Sequence, residues 1–139
     1  MDTAKTVAHR LAVRMLNSAH PDLSLSARLV YDAAAPYAVE LHVLEVRPYP
    51  EDEPPVCWTF GRELLDRGRH VPSGLGDVLV APGPGGTVLI ELRGTGGTAV
   101  LGMPGGQVDD FLADSHSLVP PGEEGRHLDL EGCLARLLV

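Results

Sequence analysis

Hydrophobic and polar positions alternate along much of this chain with the period of two that sends side chains to opposite faces of a strand. Leu25, Ala27, Leu29 and Tyr31 alternate with Ser24, Ser26, Arg28 and Val30, and Val39, Leu41 and Val43 flank Glu40 and His42. Both runs predict half-buried strands, and the short connection between them, 32–36, predicts antiparallel pairing. Residues Thr6 to Leu16 satisfy two patterns at once. Val7, Leu11, Val13 and Met15 suit a strand, whereas Val7, Leu11 and Met15 recur at every fourth position as on a helix. Pattern alone leaves that segment open.

The middle of the chain is organised by residues 56–82. Val56, Trp58 and Phe60 fall on one face of a strand that holds the only tryptophan and one of the two phenylalanines. Aromatic side chains bury the most area, so the core is expected to centre there. Phe60, Leu64 and Leu65 then sit at helical spacing, and Gly68 predicts a left-handed end to a short helix. Pro72, Gly74 and Gly76 make a turn into a strand marked by Val78 and Val80. Two further strands follow, at Val88, Ile90 and Leu92 and at 98–101, with Gly94-Thr95-Gly96-Gly97 as the turn between them. The proline- and acid-rich segment 47–55 predicts an exposed loop that no sheet runs through.

From Gly105 the period changes. Val108, Phe111, Leu112 and Leu118 predict a helix whose first turn carries Asp109 and Asp110, and Pro120-Pro121-Gly122 ends it. Asp129 predicts the N-cap of a last helix with Leu130, Cys133, Leu134, Leu137 and Leu138 along one face. The pattern thus predicts an α+β fold with about seven antiparallel strands, one short helix after the fourth strand and two C-terminal helices. At 139 residues it is expected to be one domain, 1–139. A self-associating surface is expected along Leu130 to Leu138.

The net charge of -8 limits the partners. Lys5 is the only lysine and the ten arginines are dispersed, so no nucleic-acid partner is expected. No apolar run reaches the roughly 18 residues of a membrane span, and the N-terminus has no signal-like segment, so a cytoplasmic protein without direct membrane insertion is expected. Chemistry is sparse. The sequence has no phosphate-cradling loop with a lysine, no nucleophile elbow and no paired-histidine zinc motif. The six histidines (9, 20, 42, 70, 116 and 127) show no ligand-like spacing, and His42 reads as a surface residue. Cys57 and Cys133 stand at apolar-patterned positions and read as buried free thiols. No catalytic residue, cofactor or metal site is therefore assigned, and the chain is read as a non-enzyme.

Three blocks carry a resemblance: L-V-Y-D-A-A-A-P-Y-A-V (29–39), V-C-W-T-F-G-R-E-L-L-D-R-G (56–68) and P-S-G-L-G-D-V-L-V-A-P (72–82). With D-D-F-L-A-D-S-H-S-L-V-P-P-G-E-E (109–124) and H-L-D-L (127–130), the chain resembles the SsgA-like sporulation and cell division regulators from about Leu25 onward. The resemblance implies a non-enzymatic protein that marks septum sites and recruits the tubulin-like division protein FtsZ, helped by an SsgA-type paralogue. It also implies a Whirly-like fold of two antiparallel sheets, a homotrimer, and the strand reading of Thr6 to Leu16. The alternative function is a single-strand nucleic-acid-binding module of Whirly-like fold. Candidate partner-contact residues are the basic corner Arg67, Arg69 and His70 and the acidic helix residues Asp109, Asp110 and Asp114. An ordinary solvated face is the alternative for each.

Overall fold

The computed structural model describes residues 5–19, 21, 24–44 and 56–127. The loop expected at 47–55 and the helix expected from Asp129, with Cys133, lie outside the described residues.

Within them the elements follow the hydrophobic pattern. Strand β1 (Thr6–Met15) resolves the ambiguous segment as a strand, with Leu11 and Val13 buried and Arg10, Ala12 and Arg14 exposed. It pairs with β2 (Ser24–Asp32) over nine residues, Val7 opposite Tyr31 and Val13 opposite Leu25. That long pairing outweighs the helical preference of the segment's alanines. Strand β3 (Ala38–Val43) pairs with β2 and with β4 (Val56–Gly61). The Asp32 carboxylate accepts the Ala34 amide at 2.9 Å, which shapes the turn into β3.

Helix α1 (Arg62–Gly68) follows β4, then β5 (Val78–Pro82), β6 (Thr87–Gly94) and β7 (Gly97–Pro104) form an antiparallel meander. Gly94 and Gly97 are the closing pair of the last hairpin, and Gly97 has a φ of 132°, open to glycine. Helix α2 (Gly105–Leu118) lays Val108, Phe111, Leu112 and Ser115 on the sheet.

All seven strands belong to one sheet in the order β4-β3-β2-β1-β7-β6-β5, where the resemblance had implied two sheets. The halves meet at a narrow seam: β1 and β7 share the pairs Arg14–Gly102 and Met15–Leu101. Beyond the seam the Asn17 side chain imitates a strand, donating to the Thr98 carbonyl at 2.7 Å and accepting the Val100 amide at 3.0 Å. The sheet curls until Trp58 on β4 nears the β6–β7 hairpin, where a methyl on Gly94 would lie 3.7 Å from the indole.

Three local expectations are corrected. The largest fully buried side chains are Tyr31 and Phe111, whereas Trp58 is half-buried and Val56 is 43% exposed, because β4 is the outermost strand. Gly68 does not take a left-handed conformation. It lies against β5, where a Cβ would sit 2.4 Å from Val80. Helix α2 begins at Gly105, so Asp109 and Asp110 lie past its first turn.

Candidate functional site

Arg62 is the first residue of α1 and is only 2% exposed. A buried guanidinium must have its donors paired to be tolerated. Nη1 donates to the carbonyls of Ser115 (3.1 Å) and Val119 (2.8 Å), at the C-terminal end of α2. Nη2 donates to the Glu124 carboxylate at 3.1 Å, and the guanidinium carbon lies 4.6 Å from the centroid of the Tyr31 ring. Tyr31 in turn donates its hydroxyl to the Pro36 carbonyl at 2.9 Å, and burial pushes that phenol above its ordinary pKa. One cation therefore ties together β2, α1, the end of α2 and the turn after it.

Above this cation lies a recess of about 690 Å³, lined by Tyr37, Glu63, Asp66, His116, Pro121 and Glu124 among others. The carboxylates give it an acidic wall, and Tyr37 is 55% exposed at its rim. Glu124 Oε1 accepts the Gly122 amide at 2.7 Å, and its pKa is lowered, chiefly by hydrogen bonding from its own amide and further by Arg62 and Gly122. His116 Nε2 is 3.6 Å from Asp66, yet burial outweighs that carboxylate and lowers the imidazole pKa. No nucleophile and base are joined in the recess.

The residues expected to touch a partner are only partly available. Arg69 bridges α1 to α2: it pairs with Asp66 and, at 2.7 Å, with Asp109, so the basic corner and the acidic helix neutralise one another there. Arg67 pairs with Glu63 at 2.7 Å one helical turn away, both largely exposed. Asp114 takes His9 Nε2 at 2.7 Å, and the His9 ring stands edge-on to Phe111, which pins α2 to β1. His70 and Asp110 are exposed.

Sequence reasoning missed Arg62. Its signal was a basic residue in register with Leu65 and Gly68, the three buried residues of α1. A second arrangement was also missed. His42 and Cys57 face one another across β3 and β4, and Glu40 lies two residues along the same face. His42 Nε2 is 2.9 Å from Glu40 Oε1 and 3.8 Å from Cys57 Sγ, and Sγ is 3.9 Å from Glu40. Cys57 is exposed, against the buried thiol expected, because it points away from the Phe60 side of β4. Burial, then Glu40, raises its thiol pKa. Among the described residues this is the one histidine-, cysteine- and carboxylate-containing group close enough to hold an ion.

The segments that converge on Arg62 all lie within the stretch that a family model matches. Residues 25–124 match the model of the SsgA family, described as the Streptomyces sporulation and cell division protein SsgA. The chain is 38% identical over 136 residues to the sporulation-specific cell division protein SsgB of Streptomyces coelicolor, covering 96% of each. It is 38% identical over 133 residues to SsgB of Kineococcus radiotolerans, covering 92% of this chain and 77% of that one. A solved SsgB structure, associated with mutations that correlate to longitudinal cell division during sporulation of Streptomyces coelicolor, superposes with a TM-score of 0.77 at 36% identity, over 91% of this chain and 99% of the other. The SsgA-like sporulation-specific cell division protein of Thermobifida fusca superposes with a TM-score of 0.77 at 29% identity, over 98% of both. The chain belongs to the SsgA family of sporulation and cell division proteins.

Proposed function

We propose that this protein acts in sporulation-specific cell division as a non-enzymatic docking factor, marking septum sites in the cytoplasm and recruiting FtsZ with an SsgA-type paralogue. The observation that carries this reading is the meeting of three family blocks, 29–39, 56–68 and 109–124, at Arg62 beneath an acidic recess rimmed by an exposed tyrosine. Tyrosine and a rigid concave wall are what protein interfaces use as anchors. The relatives' role in sporulation division supplies the process. The protomer works within a homotrimer of Whirly-like subunits.

On this reading Tyr37, Glu63 and Asp66 form the contact surface. Arg67, His70 and Asp110 flank it, and Arg69, Asp109 and Asp114 hold α1 and α2 in place. Among the described residues no helix is long and apolar enough to cross a membrane.

Co-sedimentation of the purified chain with FtsZ polymers tests the reading. Wild-type protein should pellet with polymers, and Tyr37→Ala combined with Glu63→Lys should not, at unchanged thermal stability. Equal pelleting of both proteins would displace the surface from this recess, and failure of the wild type to pellet would overturn the function. A fluorescent fusion should appear as ladders at sporulation septa.

A further inference from the structure

We propose that Glu40, His42 and Cys57 form a binding site for one zinc-like divalent ion, with its fourth coordination position open on the outer face of the β3–β4 pair.

The backbone sets the geometry. Glu40 and His42 are two residues apart on one strand and so share a face, and His42 lies directly opposite Cys57 on the next. The inward positions Val39, Leu41, Val43 and Phe60 are buried, which fixes the register and holds the three donors outward. Zinc bonds of about 2.0 Å to nitrogen or oxygen and about 2.3 Å to sulfur make tetrahedral edges of about 3.3–3.6 Å. The observed separations are 2.9, 3.8 and 3.9 Å, so small side-chain rotations bring all three atoms onto one ion.

The donor chemistry selects the ion. A carboxylate and a thiolate supply two negative charges and the imidazole a neutral nitrogen, which balances a divalent cation. Sulfur and nitrogen donors favour zinc or its transition-metal neighbours over magnesium and calcium, which seek all-oxygen sites. Arg28, opposite His42 on β2, is the nearby positive residue on the neighbouring strand, set against two anions. Three protein ligands leave one position for water or for a donor from another molecule. Glu40 and His42 stand on β3 and Cys57 on β4, the terminal strand of the sheet, where the thiol is exposed. It stands independently of the proposed role in division.

The test uses the full-length, reduced, metal-stripped protein with Co2+ as a spectroscopic probe, followed by Zn2+ titration against a chromophoric chelator. One equivalent of Co2+ should produce thiolate-to-metal charge-transfer absorption. Cys57→Ser should abolish it and Cys133→Ser should retain it. His42→Ala and Glu40→Gln should each weaken Zn2+ binding by about tenfold or more, with far-ultraviolet circular dichroism unchanged. Absence of the absorption, its persistence in Cys57→Ser, or undiminished Zn2+ affinity in both other variants would overturn the site.

Discussion

The guanidinium of Arg62 rests over the ring of Tyr31, its carbon 4.6 Å from the centroid, so the face of a fully buried phenol covers a buried charge. The aromatic face attracts the cation, and the ring excludes water from one side of it. The remaining directions are taken by carbonyls of Ser115 and Val119 and by Glu124. Arg62 therefore joins segments far apart in sequence.

Removing that cation should be costly. Arg62→Met removes the donor to Glu124 Oε2 and to the Ser115 and Val119 carbonyls and leaves a carboxylate without its counter-ion, and is expected to destabilise the fold by about 3–5 kcal/mol. Arg62→Lys should recover less than half of the loss, because one ammonium cannot reproduce the planar fork. Urea denaturation of the three proteins measures both.

Gly68 packs where a side chain cannot. Gly68→Ala places a methyl about 2.4 Å from Val80 and is expected to cost about 1–3 kcal/mol through strain. Val80→Ala alone opens a cavity, and in the double variant it removes the Cγ1 contact but keeps the Cβ, which also lies 2.4 Å from the new methyl, so the two changes compensate only in part. The measured loss for the pair should fall below the sum of the single losses.

Acid should weaken the protein in two steps. His116 has its pKa lowered from 6.5 by burial, so folding disfavours its charged form. Its contribution is whole above that value and is lost as pH falls through the lower folded one. Glu124 is lowered from 4.5, with its ionised form favoured in the fold, so its contribution is likewise lost on passing below that value. His116→Gln should remove the upper step and Glu124→Gln the lower in denaturation midpoints followed against pH.

The Arg69–Asp109 bridge is the lesser tie between α1 and α2, since the carboxylate side is 58% exposed. A double-mutant cycle with alanine at both positions should give a coupling of about 0.2–1 kcal/mol that shrinks as salt is added.

Much of the fold was legible because alternation reports directly which side of a strand is buried. Leu29, Leu41 and Ile90 were placed inside by period alone, and all three are fully buried. Thr6 to Met15 was not legible by period, since a strand and a helix both satisfy it, and pairing with β2 decides between them. The partner-contact residues were chosen for charge. Charge in a sequence says nothing of where an opposite charge will fold, so the mutual pairing of Arg69 and Asp109 was hidden. Arg62 was hidden for the complementary reason: its ligands are mostly backbone carbonyls, which every residue has. The pair of His42 and Cys57 needed the β3–β4 register before any spacing rule could see it.

The seam between β1 and β7 gives the sheet an uneven resistance to opening. Two residue pairs, the Leu16 amide to Val100 at 2.8 Å and the Asn17 amide side chain hold two ladders that are each far longer. A fluctuation that unzips this line breaks few hydrogen bonds and leaves both ladders whole, so amides along it should trade protons with solvent sooner than their burial suggests. The clasp that resists such parting lies at α2, which packs on β1, β6 and β7 and so bridges the two halves.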